Sequence, residues 1–102
     1  MEEKGTSHYG GRRIASVSFT KTFKRDYKRL APERKQEVDQ ALRDLLRDPR
    51  PQYLRFEKLK GYTDPPVYTI HSSAKFKISM EIDGEHALLR HVGHHDELDR
   101  RA

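Results

Sequence analysis

The chain contains no cysteine. Disulfide staples, thiolate metal sites and cysteine nucleophiles are therefore excluded, and a reducing cytosol is the default setting. No apolar run approaches the roughly 20 residues that a membrane helix needs. The first residues also lack the apolar segment that marks a signal peptide. Hydrophobic residues are scarce, 33% against 36% charged, so the core must be small. A length of 102 residues suits one domain with one core. What the chain has in excess is positive charge: 21 Lys and Arg against 16 Asp and Glu, with a pI near 9.6. A net +5 favours a polyanion or an acidic protein as partner, although charge alone also fits a small basic domain with no specific ligand.

Residues 1–12 are polar, with three glycines and no apolar period, and read as a disordered tail. From Arg13 to Phe19, Ala15, Val17 and Phe19 alternate with polar residues, which predicts a first strand with these three on one side. Thr20 offers a hydroxyl to cap a helix, in which Phe23, Tyr27 and Leu30 form an apolar stripe. Lys21, Lys24, Arg25, Lys28 and Arg29 occupy its other face, either as a solvated surface or as a phosphate-facing rim. Pro32 suits the first turn of a second helix, and Glu33 complements its dipole. Val38, Ala41, Leu42, Leu45 and Leu46 repeat at helical spacing up to the stop at Asp48-Pro49-Arg50-Pro51. The short link makes the two helices an antiparallel hairpin. Tyr53 to Gly61 is expected to lead back into a sheet, with Leu54, Phe56 and Leu59 as its apolar positions.

The rest of the chain is organised around residues 59–96. Phe76, Ile78, Met80 and Ile82 alternate with Lys75, Lys77, Ser79 and Glu81, so one strand face is apolar and the other charged. Val67 to His71 is a shorter β-rich run, shielded from helix by Pro65-Pro66. Asp83-Gly84 predicts a hairpin turn with both residues at positive φ, and Ala87 to Val92 closes a three-stranded antiparallel meander. The expected fold class is α+β: a small sheet, made of the first strand and the meander, packed against an N-terminal two-helix hairpin. One domain spans 13–99, followed by a tail at 100–102.

Histidines and cations gather on this sheet. Cleaving RNA without a metal needs a base for the 2′-hydroxyl proton, a cation for the phosphorane charge and an acid for the leaving 5′-oxygen. Histidine suits both proton roles because its ordinary pKa of about 6.5 lies close to working pH. His71, His91, His94 and His95 are the acid–base candidates, with His95 and His71 ranked first. Lys77 is the candidate for steadying charge, and Lys58, Lys60, Lys75 and Arg90 for gripping phosphates. These cations would also hold nearby histidines neutral. The plainer readings are that His94 and His95 cap the last strand, that His86 beside the turn is solvated, and that Lys75 and Lys77 form an ordinary polar strand face. A metal site at His91, His94, His95 and Asp96 is the rival chemistry, with a spacing that matches no established motif.

The order strand, basic helix hairpin, Leu59-Lys60-Gly61, Phe76-Lys77-Ile78-Ser79-Met80-Glu81-Ile82 and Val92-Gly93-His94-His95 resembles the RelE/ParE superfamily of bacterial toxins. The resemblance spans about residues 14–99. It implies a toxin of a toxin–antitoxin pair that cuts messenger RNA without a metal or other cofactor, in some members on the ribosome. The implied partners are a cognate antitoxin, messenger RNA and the ribosome, with DNA met only through the antitoxin complex, and the implied location is the cytoplasm. The alternatives it carries are a ParE-like binder of DNA gyrase and an inactive RNA- or partner-binding module. Four departures stand out, and in three of them Lys77, His91 and His95 replace arginines common in the nuclease members. His95 thereby takes a family catalytic position. The usual closing aromatic, which can stack on a base, is replaced by Asp99 or a neighbour.

Overall fold

The computed structural model describes residues 13–102, so the tail expected at 1–12 lies outside the described residues. Helix starts follow the local chemistry. Thr20 caps α1 (Lys21–Lys28), its Oγ1 accepting from the Phe23 N–H at 3.0 Å. Its hydroxyl in turn donates to the Leu89 carbonyl at 3.0 Å, fastening the cap to the sheet. Pro32 opens α2 (Pro32–Leu45), with Glu33 in its first turn. The hairpin between the helices is closed by Tyr27, whose hydroxyl donates to Asp39 at 2.8 Å.

The sheet has five strands: β1 (Ser16–Phe19), β2 (Glu57–Thr63), β3 (Pro66–His71), β4 (Phe76–Asp83) and β5 (His86–His94). Their spatial order is β1-β5-β4-β3-β2, with β1 parallel to β5 and every other pair antiparallel. A final helix, α3 (His95–Arg101), follows β5 directly. The α+β class and the helix hairpin packed on a sheet are as expected. The meander, however, has four strands, because the segment leading back from α2 is itself β2. That strand is an edge with basic side chains at Lys58 and Lys60, and its register shifts between Lys58 and Thr63, so alternation does not reveal it.

Three other expectations change. The turn after β4 centres on Gly84-Glu85, because Asp83 still pairs with His86. Gly84 has φ of +63°, which suits the first central position of such a turn, and Arg55 is the only non-glycine among the described residues with positive φ. At β1 the buried residue is Ile14; Ala15 is exposed and Phe19 is 43% exposed. Of the residues read as a tail at 100–102, Arg100 and Arg101 finish α3, and Ala102 follows as its C-cap, buried at 2% exposure.

The core lies between the sheet and the hairpin. Phe23, Val38, Ala41 and Leu45 from the helices meet Ile70, Ile78, Met80, Ala87, Leu89 and Val92 from the strands. The opposite sheet face carries a much smaller cluster, Val67 with Leu98 and Ala102 of α3, flanked by Leu59 and Tyr62.

Candidate functional site

Side chains alternate across a strand. In β4, Ile78 and Met80 join the hairpin core, so Lys77, Ser79 and Glu81 belong to the other face. In β3, Ile70 joins that core, while Val67, Thr69 and His71 share the face of Lys77. Register then pairs Thr69 with Ser79 and His71 with Lys77. These four residues form a polar block on the α3 side of the sheet.

His71 is partly buried. Burial pushes its pKa down, and the Lys77 ammonium pushes it down further, with Arg55 adding a smaller effect. A backbone hydrogen bond with Ser73 and the Glu57 carboxylate oppose the shift. Burial and Lys77 together favour the neutral imidazole, the form that can accept a proton. The Lys77 side chain is only 11% exposed, and its Nζ donates to Asp99 Oδ1 of α3 at 3.0 Å.

A second group stands where β5 passes into α3. The His94 ring meets the Phe76 ring edge-on at 5.9 Å, and the His95 ring stacks on His94 at 4.7 Å. His94 Nδ1 accepts from the Asp96 N–H at 3.3 Å and so caps α3. The Asp96 carboxylate lies 3.1 Å from His95 Nδ1 and 3.7 Å from His94 Nδ1. His94, His95 and Asp96 each offer one donor atom within 4.8 Å of the others, so among the described residues this is where a metal could be held. The His95 N–H donates to the Lys75 carbonyl at 2.8 Å, which ties the start of α3 to the β3–β4 loop. Asp99 follows His95 by four residues and so shares its helix face, and it is Asp99 that reaches Lys77.

The structure thus gathers His71 with Lys77, and His94 with His95, and links the two groups through α3. The other candidates are placed elsewhere. His91 turns to α1, with Nδ1 3.3 Å from Asp26 Oδ2. Arg90 is paired with Glu81, and its Nε donates to the Ala102 carbonyl at 2.9 Å. Lys58 pairs in register with Tyr68 and so belongs to the face opposite His71. Lys60 is exposed on the irregular part of β2, and Lys75 is exposed in the loop before β4. His86 is not simply solvated: its two ring nitrogens contact Ser16 Oγ at 2.7 Å and Ser18 Oγ at 2.9 Å, joining β1 to β5.

Sequence reasoning missed Asp99 as the partner of Lys77, Arg55 and Glu57 as the charges around His71, and the Thr69–Ser79 pair. The hydroxyls were visible as polar positions sharing the alternation of His71 and Lys77; nothing signalled that a charged C-terminal segment would cover them. A separate apolar groove of about 300 Å³ lies between β1 and the helices, lined by Phe19, Phe23, Lys24, Tyr27, Asp39 and Leu42. Phe19 stacks there on Phe23 at 5.5 Å.

No protein-family model matches the sequence, and no curated protein matches it. Solved structures do match in shape. A chain of the RelB–RelE antitoxin–toxin complex from Methanococcus jannaschii superposes with a TM-score of 0.62 at 24% identity, covering 82% of this chain and 96% of that one. YafQ from Escherichia coli gives 0.66 at 15% identity, covering 85% and 98%. A metal-bound toxin from Helicobacter pylori gives 0.56 at 18% identity, covering 83% and 99%. The chain therefore has the fold of the RelE-like toxins.

Proposed function

We propose that this protein is the toxin of a toxin–antitoxin pair and acts as an endoribonuclease on messenger RNA, on or off the ribosome. The observation that carries the reading is the cross-strand pair of His71 and Lys77 on the α3 face of a RelE-like sheet. His71, held neutral by burial and by Lys77, takes the proton from a 2′-hydroxyl. The 2′-oxygen then forms its bond to phosphorus, and Lys77 offsets the charge that builds on the phosphorane oxygens. His95 donates a proton to the departing 5′-oxygen as the P–O5′ bond breaks. The products are a 2′,3′-cyclic phosphate and a 5′-hydroxyl. All three roles fall on side chains, so the step needs no metal or other cofactor. Of the remaining candidates, Lys60 and Lys75 are exposed cations available to the RNA backbone, with Lys58 at the sheet edge. The implied partner protein is an antitoxin, and the implied setting is the cytoplasm. No described helix is long and apolar enough to cross a membrane.

One observation favours a second reading, a binding module that holds RNA or a protein target such as gyrase without cutting. Lys77 and Arg90 already have carboxylate partners in Asp99 and Glu81. End-labelled RNA incubated with the purified protein, with and without ribosomes, separates the two. Fragments ending in cyclic phosphate support the nuclease. Intact RNA together with blocked DNA supercoiling supports the gyrase binder.

A further inference from the structure

Thr69 and Ser79 are 0% exposed, and among the described residues neither Thr69 Oγ1 nor Ser79 Oγ has a hydrogen-bond partner. A buried hydroxyl left unpaired destabilises the fold, because it gives up its bonds to water without replacing them. Here two stand opposite each other in register, on the same sheet face as Lys77. The hairpin core opposite shows the alternative, since its strand positions are filled by Ile70, Ile78 and Met80.

Over this face lies α3, packed on β4 and β5, with Leu59 and Tyr62 of β2 beside it. Only seven residues long, it is far below the roughly 12–15 at which helices hold themselves in water. Its hold on the sheet is modest: Leu98 and Ala102 against Val67, the Arg90 Nε bond to the Ala102 carbonyl, and the Lys77–Asp99 pair. Its first residue is fixed separately, by the His95 N–H bond to Lys75 and by the stacking of His95 on His94. Release of the far end alone would leave His95 in place.

We infer that Lys77, Ser79 and Thr69 form a seat for an RNA phosphodiester, closed in this structure by α3, with the Asp99 carboxylate in the place of the phosphate. A phosphate oxygen accepts from an ammonium as a carboxylate oxygen does, so opening exchanges one anion for another and leaves Lys77 paired. The two hydroxyls supply donors that Asp99 does not use. This seat rests on the proposed reading of the α3 face as an RNA site, and it adds a lid that RNA must displace.

The test is equilibrium binding of a fluorescent single-stranded RNA, 2′-O-methylated throughout so that it cannot be cleaved. Asp99→Asn should tighten binding at least fivefold and speed amide hydrogen exchange across residues 96–102. Leu98→Ser, which loosens the lid without touching charge, should act in the same direction. Adding Thr69→Val and Ser79→Ala to Asp99→Asn should weaken binding at least threefold. Unchanged or weaker binding by both lid variants, or no loss on removing the hydroxyls, overturns the seat. Tighter binding without any cleavage of ordinary RNA keeps the seat and rejects the nuclease. Cleavage of ordinary RNA without tighter binding does the reverse.

Discussion

The two faces of the sheet are built on different terms. Toward the helix hairpin, β3 and β4 present Ile70, Ile78 and Met80, all fully buried among apolar neighbours. Toward α3, the alternate positions of the same strands carry Thr69, His71, Lys77 and Ser79. Adjacent residues of one strand thus meet opposite environments. The first face supplies stability through area removed from water. The second holds polar groups at a cost to stability, and such groups concentrate where binding or chemistry needs them.

The comparison breaks most sharply in activity. His95→Ala should lower RNA cleavage by about 10²–10⁴-fold, the usual contribution of a positioned proton donor, and should abolish growth arrest while leaving the circular dichroism spectrum unchanged. Full toxicity in that variant would remove His95 from the mechanism. Next in size is the stability contrast. Ile78→Ala should cost about 2–5 kcal/mol in urea unfolding, because it opens a cavity in the hairpin core. Thr69→Val, nearly the same shape without the hydroxyl, should instead raise stability by about 1 kcal/mol. If Thr69→Val destabilises as a core truncation does, the two faces are not different in kind. A smaller effect concerns pH. Because His71 has a lowered pKa in the fold, the unfolded chain takes up the proton first. Its contribution is therefore intact above about pH 6.5 and lost as the pH falls from there toward the lowered folded value. Melting temperatures between pH 7.5 and 5 should fall, and His71→Gln should flatten part of that fall. Smallest of all, EDTA should leave cleavage unchanged; loss of cleavage on chelation, restored by added metal, would move the chemistry to the His94–His95–Asp96 cluster.

The hairpin face was legible in the sequence and the α3 face only in part. Val38, Ala41 and Leu45, like Ile78 and Met80, follow helical and strand periods because burial on one side enforces them. Gly61, at φ of +88°, and the register shift in β2 interrupt that period, so the edge strand was not visible. In α3 the run His95 to Arg101 has a single apolar residue, Leu98, too few to show a helical stripe. His71 and Lys77 could be identified as neighbours because a hairpin's register follows from its turn. Asp99 could not, since its contact with Lys77 depends on how α3 folds back over the sheet. The Gly84 turn shows the same limit on a smaller scale: Asp-Gly marked the hairpin, while strand pairing set the centre one residue later.

Cleavage of end-labelled RNA by the wild-type protein and by Asp99→Asn, in EDTA, decides whether His71 and Lys77 form a metal-free nuclease centre. Both proteins should yield fragments with 2′,3′-cyclic phosphate ends, formed faster by Asp99→Asn and not formed once His71 is replaced by Ala. RNA left whole by both proteins, with and without ribosomes, or fragments that persist without His71, would contradict it.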